Sequence, residues 1–141
     1  MVEPAPELQS KLAAKEDWPR SLILIDKPDS DPYVNNDIDL KPGELNALIK
    51  AFDDQEETKA IGITLEGRPY QVTRFYTPMI YARCNENEHT YGLGMIRYKP
   101  HQASGEEEYQ FLIGLYEAPI LSCNAIPQMV DFCELNLGNP E

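Results

Sequence analysis

Apolar residues recur with two different periods along the chain, and the change of period separates predicted helices from predicted strands. Near the start, Glu7–Lys15 consists of good helix formers with leucines near helical spacing. Pro19 ends this segment, because the residue before a proline disfavours the helical conformation. The apolar run Leu22–Ile25 has the length of a strand, and Tyr33-Val34 is predicted to be its short partner.

The middle of the chain begins with an amphipathic pattern and then changes to strands. An i, i+3, i+4, i+7 pattern predicts a helix that ends at the acidic loop Asp53–Glu57. The apolar positions of this helix are Leu45, Leu48, Ile49 and Phe52. Short apolar or alternating runs then predict strands, with Glu66-Gly67 as a hairpin turn. These strands are Ala60–Leu65, Tyr70–Tyr76, Met79–Cys84, Tyr91–Tyr98 and Tyr109–Tyr116.

The segment after Pro119 again has helical spacing. Ile126, Met129 and Cys133 lie on one stripe, and Gly138 to Pro140 stop the predicted helix. Consecutive strands without room for crossover helices must pair antiparallel. The sequence therefore predicts an α+β fold: a central antiparallel sheet flanked by N-terminal, middle and C-terminal helices. Residues 1–141 form one domain, in which residues 1–20 are an N-terminal extension that could be flexible.

Length and charge narrow the possible partners. The 141 residues include 12 basic and 24 acidic side chains, for a formal net charge of −12. Such a surface argues against general affinity for nucleic acid or anionic membranes. No apolar run approaches the ~20 residues of a membrane span, and the first residues lack the basic and apolar regions of a signal peptide. We therefore expect a cytosolic protein.

The charge is unevenly distributed. Residues 1–60 and 100–141 each carry −7, whereas residues 61–99 carry +2. The basic groups of this middle segment are mostly arginines, which suit the recognition of carboxylates at interfaces. On charge alone, arginines that only balance the acidic flanks within the monomer are an equally good interpretation. The five basic residues are Arg68, Arg74, Arg83, Arg97 and Lys99.

Sequence patterns of common catalytic sites are absent. Gly92-Leu93-Gly94 lies inside an apolar strand, so it indicates close backbone packing rather than a phosphate-binding loop. The carboxylates of Asp53-Asp54 and Glu106–Glu108 lie in predicted loops and are expected to face water. The cysteines are expected to be free and mostly buried, since their spacing with the histidines does not suit zinc. These residues are Cys84, Cys123, Cys133, His89 and His101. We predict no enzyme activity, no cofactor and no metal.

Four stretches in a fixed order resemble the profilin family. Phe52–Arg74 resembles its helix end, strand, glycine turn and strand closing on arginine, and Tyr91–Lys99 resembles its glycine-rich strand with a basic end. Phe111–Pro119 is similar to the penultimate strand and Ser122–Phe132 to the C-terminal helix. The likeness is good over residues 40–137 and weak before them. The chain looks most like the divergent profilins of Asgard archaea.

The resemblance implies an actin-facing surface. Profilins are small cytosolic proteins that bind monomeric actin and often proline-rich ligands and phosphoinositides. By this resemblance Val72 and Arg74 lie on one face of their strand, and that face meets actin. The full predicted set is Val72, Arg74, Arg83, Arg97, Lys99, Asn124 and Gln128.

A second implied site, for proline-rich peptides, is less complete. Such ligands need a platform of aromatic rings. Leu8 and Leu12 stand near the places of two family aromatics, so this binding is expected to be weakened. Phosphoinositide binding is expected to be weak or absent, because the net charge opposes it. The platform candidates are Trp18, Tyr33 and Phe132.

The resemblance implies that the protein binds actin monomers without catalysis and controls their addition to filaments, as a cytoskeleton-associated protein of the cytoplasm. The alternative is a small α+β regulatory or ligand-binding module with a partner other than actin, since sheets flanked by helices serve many roles.

Overall fold

The computed structural model describes residues 6–26, 31–101 and 109–141. In these residues the chain alternates between short helices and a series of strands, as the change of period predicts. The elements are α1 (Pro6–Ala13), β1 (Arg20–Ile25), β2 (Tyr33–Asn35), α2 (Glu44–Ile49), α3 (Gln55–Ile61), β3 (Ile63–Leu65), β4 (Arg68–Tyr76), β5 (Met79–Glu86), β6 (His89–Pro100), β7 (Gln110–Glu117), α4 (Ser122–Asn136) and β8 (Gly138–Pro140).

The strands form one antiparallel sheet in the order β2-β1-β7-β6-β5-β4-β3, and β8 pairs with the end of β6. Four consecutive strands, β3 to β6, follow one another as neighbours. The pairing of β1 with β7 joins the start of the sheet to its last long strand. The predicted α+β fold with a central antiparallel sheet is confirmed.

Alternate residues of the strands supply two separate cores. On β6, Leu93 and Met95 join a core with Leu48 of α2, here called the α2-side core. Ile96 and Tyr98 of the same strand join a core with residues of α1 and α4, here called the α4-side core. We name the two faces of the sheet the α2 face and the α4 face accordingly.

Two glycines allow α4 to approach the sheet. Gly94 of β6 pairs directly with Gly114 of β7. A Cβ atom on Gly94 would lie 2.5 Å from Cδ1 of Ile126, and one on Gly114 would lie 2.9 Å from Sδ of Met129. Side chains at either position would push the helix outward. The close packing expected at Gly92-Leu93-Gly94 is confirmed, because a Cβ on Gly92 would also collide with the ring of Tyr116.

A buried carboxylate joins α2 to the β3–β4 hairpin. Glu44 is 5% exposed. Its Oε1 accepts hydrogen bonds from the backbone N–H groups of Lys41 at 2.9 Å and Glu66 at 2.8 Å, and its Oε2 from that of Gly67 at 2.8 Å. Glu66 and Gly67 both have positive φ, as the predicted two-residue hairpin turn requires. The Glu66 carboxylate in turn pairs with Arg20 of β1.

The region after α2 differs from the prediction. The segment expected to be an acidic loop followed by a strand forms α3, and only Ile63–Leu65 is extended. Oδ1 of Asp54 accepts a hydrogen bond from the backbone N–H of Glu57 at 3.1 Å and so caps this helix. The helix ends at Gly62, whose φ of 79° favours glycine. The prediction was wrong because a helix of two turns has too few apolar positions to show a period.

Much of the N-terminal segment belongs to the packed domain. Leu12 and Trp18 are fully buried in the α4-side core, and Leu8 packs against it. The predicted extension, residues 1–20, therefore includes residues that pack on the domain, and its first five residues lie outside the described residues. β8 is a strand that the sequence did not predict. Gly138–Pro140 were expected only to stop α4, and in the structure they also pair with β6.

We predict that Gly94→Ala lowers the free energy of unfolding by about 1–3 kcal/mol, because the new methyl group overpacks the contact between α4 and the sheet. Urea denaturation measures the change. Ile126→Val removes the nearest atom and serves as the control, so the double variant should lose less stability than the sum of the two single variants. Additive losses would show that the glycine has another role.

We predict that Glu44→Ala lowers the free energy of unfolding by about 2–4 kcal/mol, because it leaves backbone N–H groups of the hairpin without an acceptor. Glu44→Gln keeps one oxygen, which can still accept two of the three bonds, so its loss should be about 1 kcal/mol. The same denaturation experiment ranks the variants. Equal losses would indicate that the negative charge, rather than the number of acceptors, stabilises the hairpin.

Candidate functional site

The helices cover only part of the α4 face. α4 packs on β6 and β7, and α1 lies at the other edge of the sheet, against β2. α3 contacts β4, but within the described ranges α4 makes no comparable contact with β4 or β5, and Gln71, Arg74 and Arg83 are exposed there. The outward side chains of these two strands are therefore available to another molecule.

A bulge decides which side chains of β4 lie on that face. Val72 pairs with Ala82 and Arg74 with Tyr81, so the register shifts between them and Thr73 is the extra residue. Val72 and Ala82 belong to the α2-side core, whereas Tyr81 packs against the α4-side core. The prediction that Val72 and Arg74 share a face was wrong, because the bulge reverses the alternation between them.

The surface that results combines two arginines with aromatic rings. Tyr76 is 58% exposed, and the guanidinium carbon of Arg74 lies 5.6 Å from the centroid of its ring. Arg83 is exposed on β5. Neither arginine has a carboxylate of the described chain within 4 Å. We call this surface, formed by Gln71, Arg74, Tyr76, Met79, Tyr81 and Arg83, the β4–β5 face.

The first turns of α4 border the β4–β5 face. Ile126 packs on Gly94, which pairs with Tyr81 of β5. In the same part of α4, Asn124 is exposed and Leu121, just before the helix, is 57% exposed. α4 therefore places the exposed Asn124 on the same side of the sheet as Arg74 and Arg83.

The other predicted residue of α4 is already engaged. Nε2 of Gln128 donates a hydrogen bond to Oδ2 of Asp17 at 2.5 Å. This contact connects α4 to the segment between α1 and β1. Gln128 therefore has a structural role that the sequence did not indicate, because its partner is 111 residues away along the chain.

Tyr116 also holds the first turn of α4 in place beside the sheet. Its hydroxyl lies 2.6 Å from Oγ of Ser122 at the start of α4, and its ring lies over Gly92. Burial raises the pKa of the Tyr116 phenol, so the group stays neutral at physiological pH. Gly92 pairs with Arg83, which places this neutral ring next to the arginine.

Arg97 and Lys99 do not join this surface. They alternate on β6 with Ile96 and Tyr98, which point to the α4-side core, so both basic side chains lie on the α2 face. Nε of Arg97 donates to the main-chain oxygen of Glu141 at 2.6 Å, and Nζ of Lys99 lies 3.6 Å from the carboxylate of that residue. The prediction that they accompany Arg74 needs correction.

Two of the three predicted aromatic platform residues are buried. Trp18 is 0% and Phe132 3% exposed, and their ring centroids lie 5.5 Å apart in an edge-to-face contact. Nε1 of Trp18 has no hydrogen-bond partner in the described chain. Tyr33 is half-buried against the same core. In this structure Trp18 and Phe132 are core residues, so they do not offer their rings to a ligand.

The three cysteines are free, and two of them are buried. Cys84 and Cys133 are buried and Cys123 is exposed, so the expectation of free and mostly buried thiols is confirmed. Burial raises the pKa of Cys133 to about 12. Within the described ranges, no three side chains of the His, Cys, Asp and Glu type are grouped to hold a metal ion. The carboxylate cluster Glu106–Glu108 lies outside these ranges.

Sequence reasoning missed Tyr76 and Leu121 as members of the exposed surface. Tyr76 continues the apolar alternation of its strand, so nothing local distinguishes it from a core residue.

No helix of the described chain is both long and apolar enough to span a membrane.

Comparison with known proteins gives one family. The sequence model of the profilin family matches residues 10–129. Acanthamoeba castellanii profilin IA superposes with a TM-score of 0.67 at 17% identity, covering 91% of each chain. Schizosaccharomyces pombe profilin gives 0.66 at 19% identity, covering 90% of this chain and 93% of the other. A search of curated protein sequences finds no match.

A further similar structure contains a ligand. Mouse profilin IIa, in complex with a double repeat from the FH1 domain of mDia1, has a TM-score of 0.59 at 14% identity and covers 89% of this chain and 91% of its own. At these low sequence identities, the structural superpositions show a common fold. The match to the family model extends over most of the sequence. The chain is a divergent member of the profilin family, a family of non-enzymatic binding proteins.

Proposed function

We propose that this protein binds monomeric actin through the β4–β5 face and regulates its polymerisation. The observation that carries the proposal is that Arg74 and Arg83 are exposed and without a carboxylate partner in the described chain, on the part of the sheet that α4 leaves open. Family membership supports actin as the partner, and the open face supports this surface as the binding site.

The chemistry of the β4–β5 face suits a protein partner. Arginine can bind a carboxylate with two parallel hydrogen bonds, which fixes orientation as well as strength. Tyr76 adds exposed aromatic area next to Arg74, and tyrosine and arginine are enriched at the energetic centres of interfaces. Asn124 on α4 extends the surface with a neutral hydrogen-bonding group.

The binding is stoichiometric. A protein of this size that covers one surface of the actin monomer controls whether that monomer can join a filament, without any chemical step of its own. We propose that it acts in the cytoplasm, in association with the cytoskeleton.

We also propose that binding of proline-rich peptides is weak in this protein. The profilin complexed with an FH1 repeat supports the ligand class. In this chain Trp18 and Phe132 are buried, which leaves Tyr33 as the accessible ring of the predicted platform. One ring offers little of the grooved aromatic surface that a polyproline helix needs.

A partner other than actin is the second candidate. The same open face would suit any acidic protein surface, and the fold alone does not name its partner. Direct titration with actin separates the two candidates.

We predict that Arg74→Glu weakens actin binding by about 2–5 kcal/mol, because it places a negative charge where the partner carboxylate is expected. Lys11→Glu is the matched control, since it makes the same charge change on α1, at the opposite edge of the sheet. Actin assembly followed by pyrene fluorescence measures the effect. The proposal is wrong if Arg74→Glu slows assembly as much as the unaltered protein does, or if the unaltered protein has no effect.

We predict that decaproline leaves the fluorescence of Trp18 almost unchanged up to millimolar concentration, because the indole is fully buried. Trp18 is the only tryptophan, so the signal reports on this position alone. Tyr33→Ala should reduce any residual binding measured by calorimetry. A large shift of the tryptophan emission would instead show that the ligand opens the α4-side core.

A further inference from the structure

A groove lies between α2 and α3, and its floor belongs to the α2-side core. Its volume is about 680 Å³, within the range of about 300–1,000 Å³ typical of ligand-binding pockets. We propose that this groove binds a short basic segment of a partner protein, one that inserts an apolar side chain between the two helices and places lysine or arginine on the acidic rim.

The floor of the groove is apolar and continuous with the core. Leu48, Ala51 and Ile63 line it and belong to the α2-side core. Ala47 adds a small exposed side chain on α2, and Ile61 stands at the rim with 75% of its surface exposed. An apolar side chain inserted here would therefore cover Ile61 and extend the core outward.

The rim is acidic. Asp53, Asp54 and Glu57 line the groove and are exposed, against the single cation Lys50. Oδ1 of Asp54 accepts a hydrogen bond that caps α3. The carboxylates of Asp53 and Glu57 have no cation within 4 Å in the described chain. Glu44 also lines the groove, but its carboxylate binds three backbone N–H groups. The charge pattern complements a basic segment.

The groove is formed before any ligand arrives. Oγ1 of Thr58 donates a hydrogen bond to the carbonyl oxygen of Ala51 at 2.7 Å, and this bond holds α3 against the end of α2. A Cβ on Gly62 would lie 2.4 Å from the carbonyl oxygen of Tyr70, so the turn after α3 is packed tightly on β4. A preformed site loses little entropy when it binds.

The groove and the β4–β5 face lie on opposite faces of the sheet. Leu48 and Ile63 of the groove floor are in the α2-side core, whereas Tyr81 of the β4–β5 face packs against the α4-side core. A basic segment in the groove therefore uses side chains other than those of the β4–β5 face, while the turn after α3 packs on β4 next to Gln71.

The test uses a labelled six-residue peptide in which two central leucines are flanked on each side by arginine and lysine. Fluorescence anisotropy with the full chain should give a Kd in the micromolar range. Replacing the leucines by serine, or the basic residues by glutamine, should weaken binding at least tenfold. Equal binding of the serine peptide would overturn the proposal, because it would show attraction to net charge alone.

Variants of the chain locate the binding. Asp53→Asn with Glu57→Gln should raise the Kd about three- to tenfold, as expected for two exposed ion pairs. Asp131→Asn with Glu134→Gln, on α4, changes the net charge equally and should leave the Kd unchanged. If both pairs weaken binding equally, the groove is not the site.

Two substitutions at apolar positions of the groove complete the design. Ala47→Trp should fill the groove and raise the Kd more than tenfold. Ile61→Ser removes exposed rim surface without touching the core, so it tests the same contact should the tryptophan disturb folding. Amide chemical-shift changes on adding the peptide should cluster in α2 and α3. Changes confined to β4 and β5, or unaltered binding by Ile61→Ser, would refute the proposal.

Discussion

The contact between α4 and the glycine pair of the sheet governs most of this structure. Because Gly94 and Gly114 carry no side chains, Met129 and Ile126 approach the backbone of β6 and β7 closely. This contact positions α4 on the centre of the α4 face, where it buries Trp18 and leaves β4 and β5 open. The location of the exposed arginines and the burial of the predicted aromatic platform have the same physical origin.

The sheet also places two small groups of opposite charge on different surfaces. Arg74 and Arg83 project from the α4 face of β4 and β5, while Asp53 and Glu57 stand on the rim of a groove whose floor belongs to the α2-side core. Two of the five basic residues of segment 61–99, Arg74 and Arg83, thus lie on a different surface from Asp53 and Glu57, whereas Arg97 and Lys99 lie on the α2 face. One small domain can in this way present two surfaces with different partners.

Sequence reasoning was accurate wherever a period extended over several turns or a whole strand. The spacing of Ile126, Met129 and Cys133 identified α4, and the alternation within each of the long strands identified β4 to β7. It was inaccurate where one residue changed the pattern. The extra residue Thr73 reverses the side of Arg74 relative to Val72, and no local signal announces such a bulge.

The amino-acid pattern alone predicts the α+β class, the antiparallel pairing, the hairpin turn at Glu66-Gly67 and the family, because these follow from local period, turn chemistry and ordered motifs. Three features follow from the packing of distant elements and are not predicted by the pattern: Trp18 is buried, Arg97 lies on the face opposite Arg83, and Asp53 and Glu57 have no cation beside them in the described chain. Burial and partnership depend on contacts between residues far apart in the chain, and their distances are fixed only when the helices pack on the sheet.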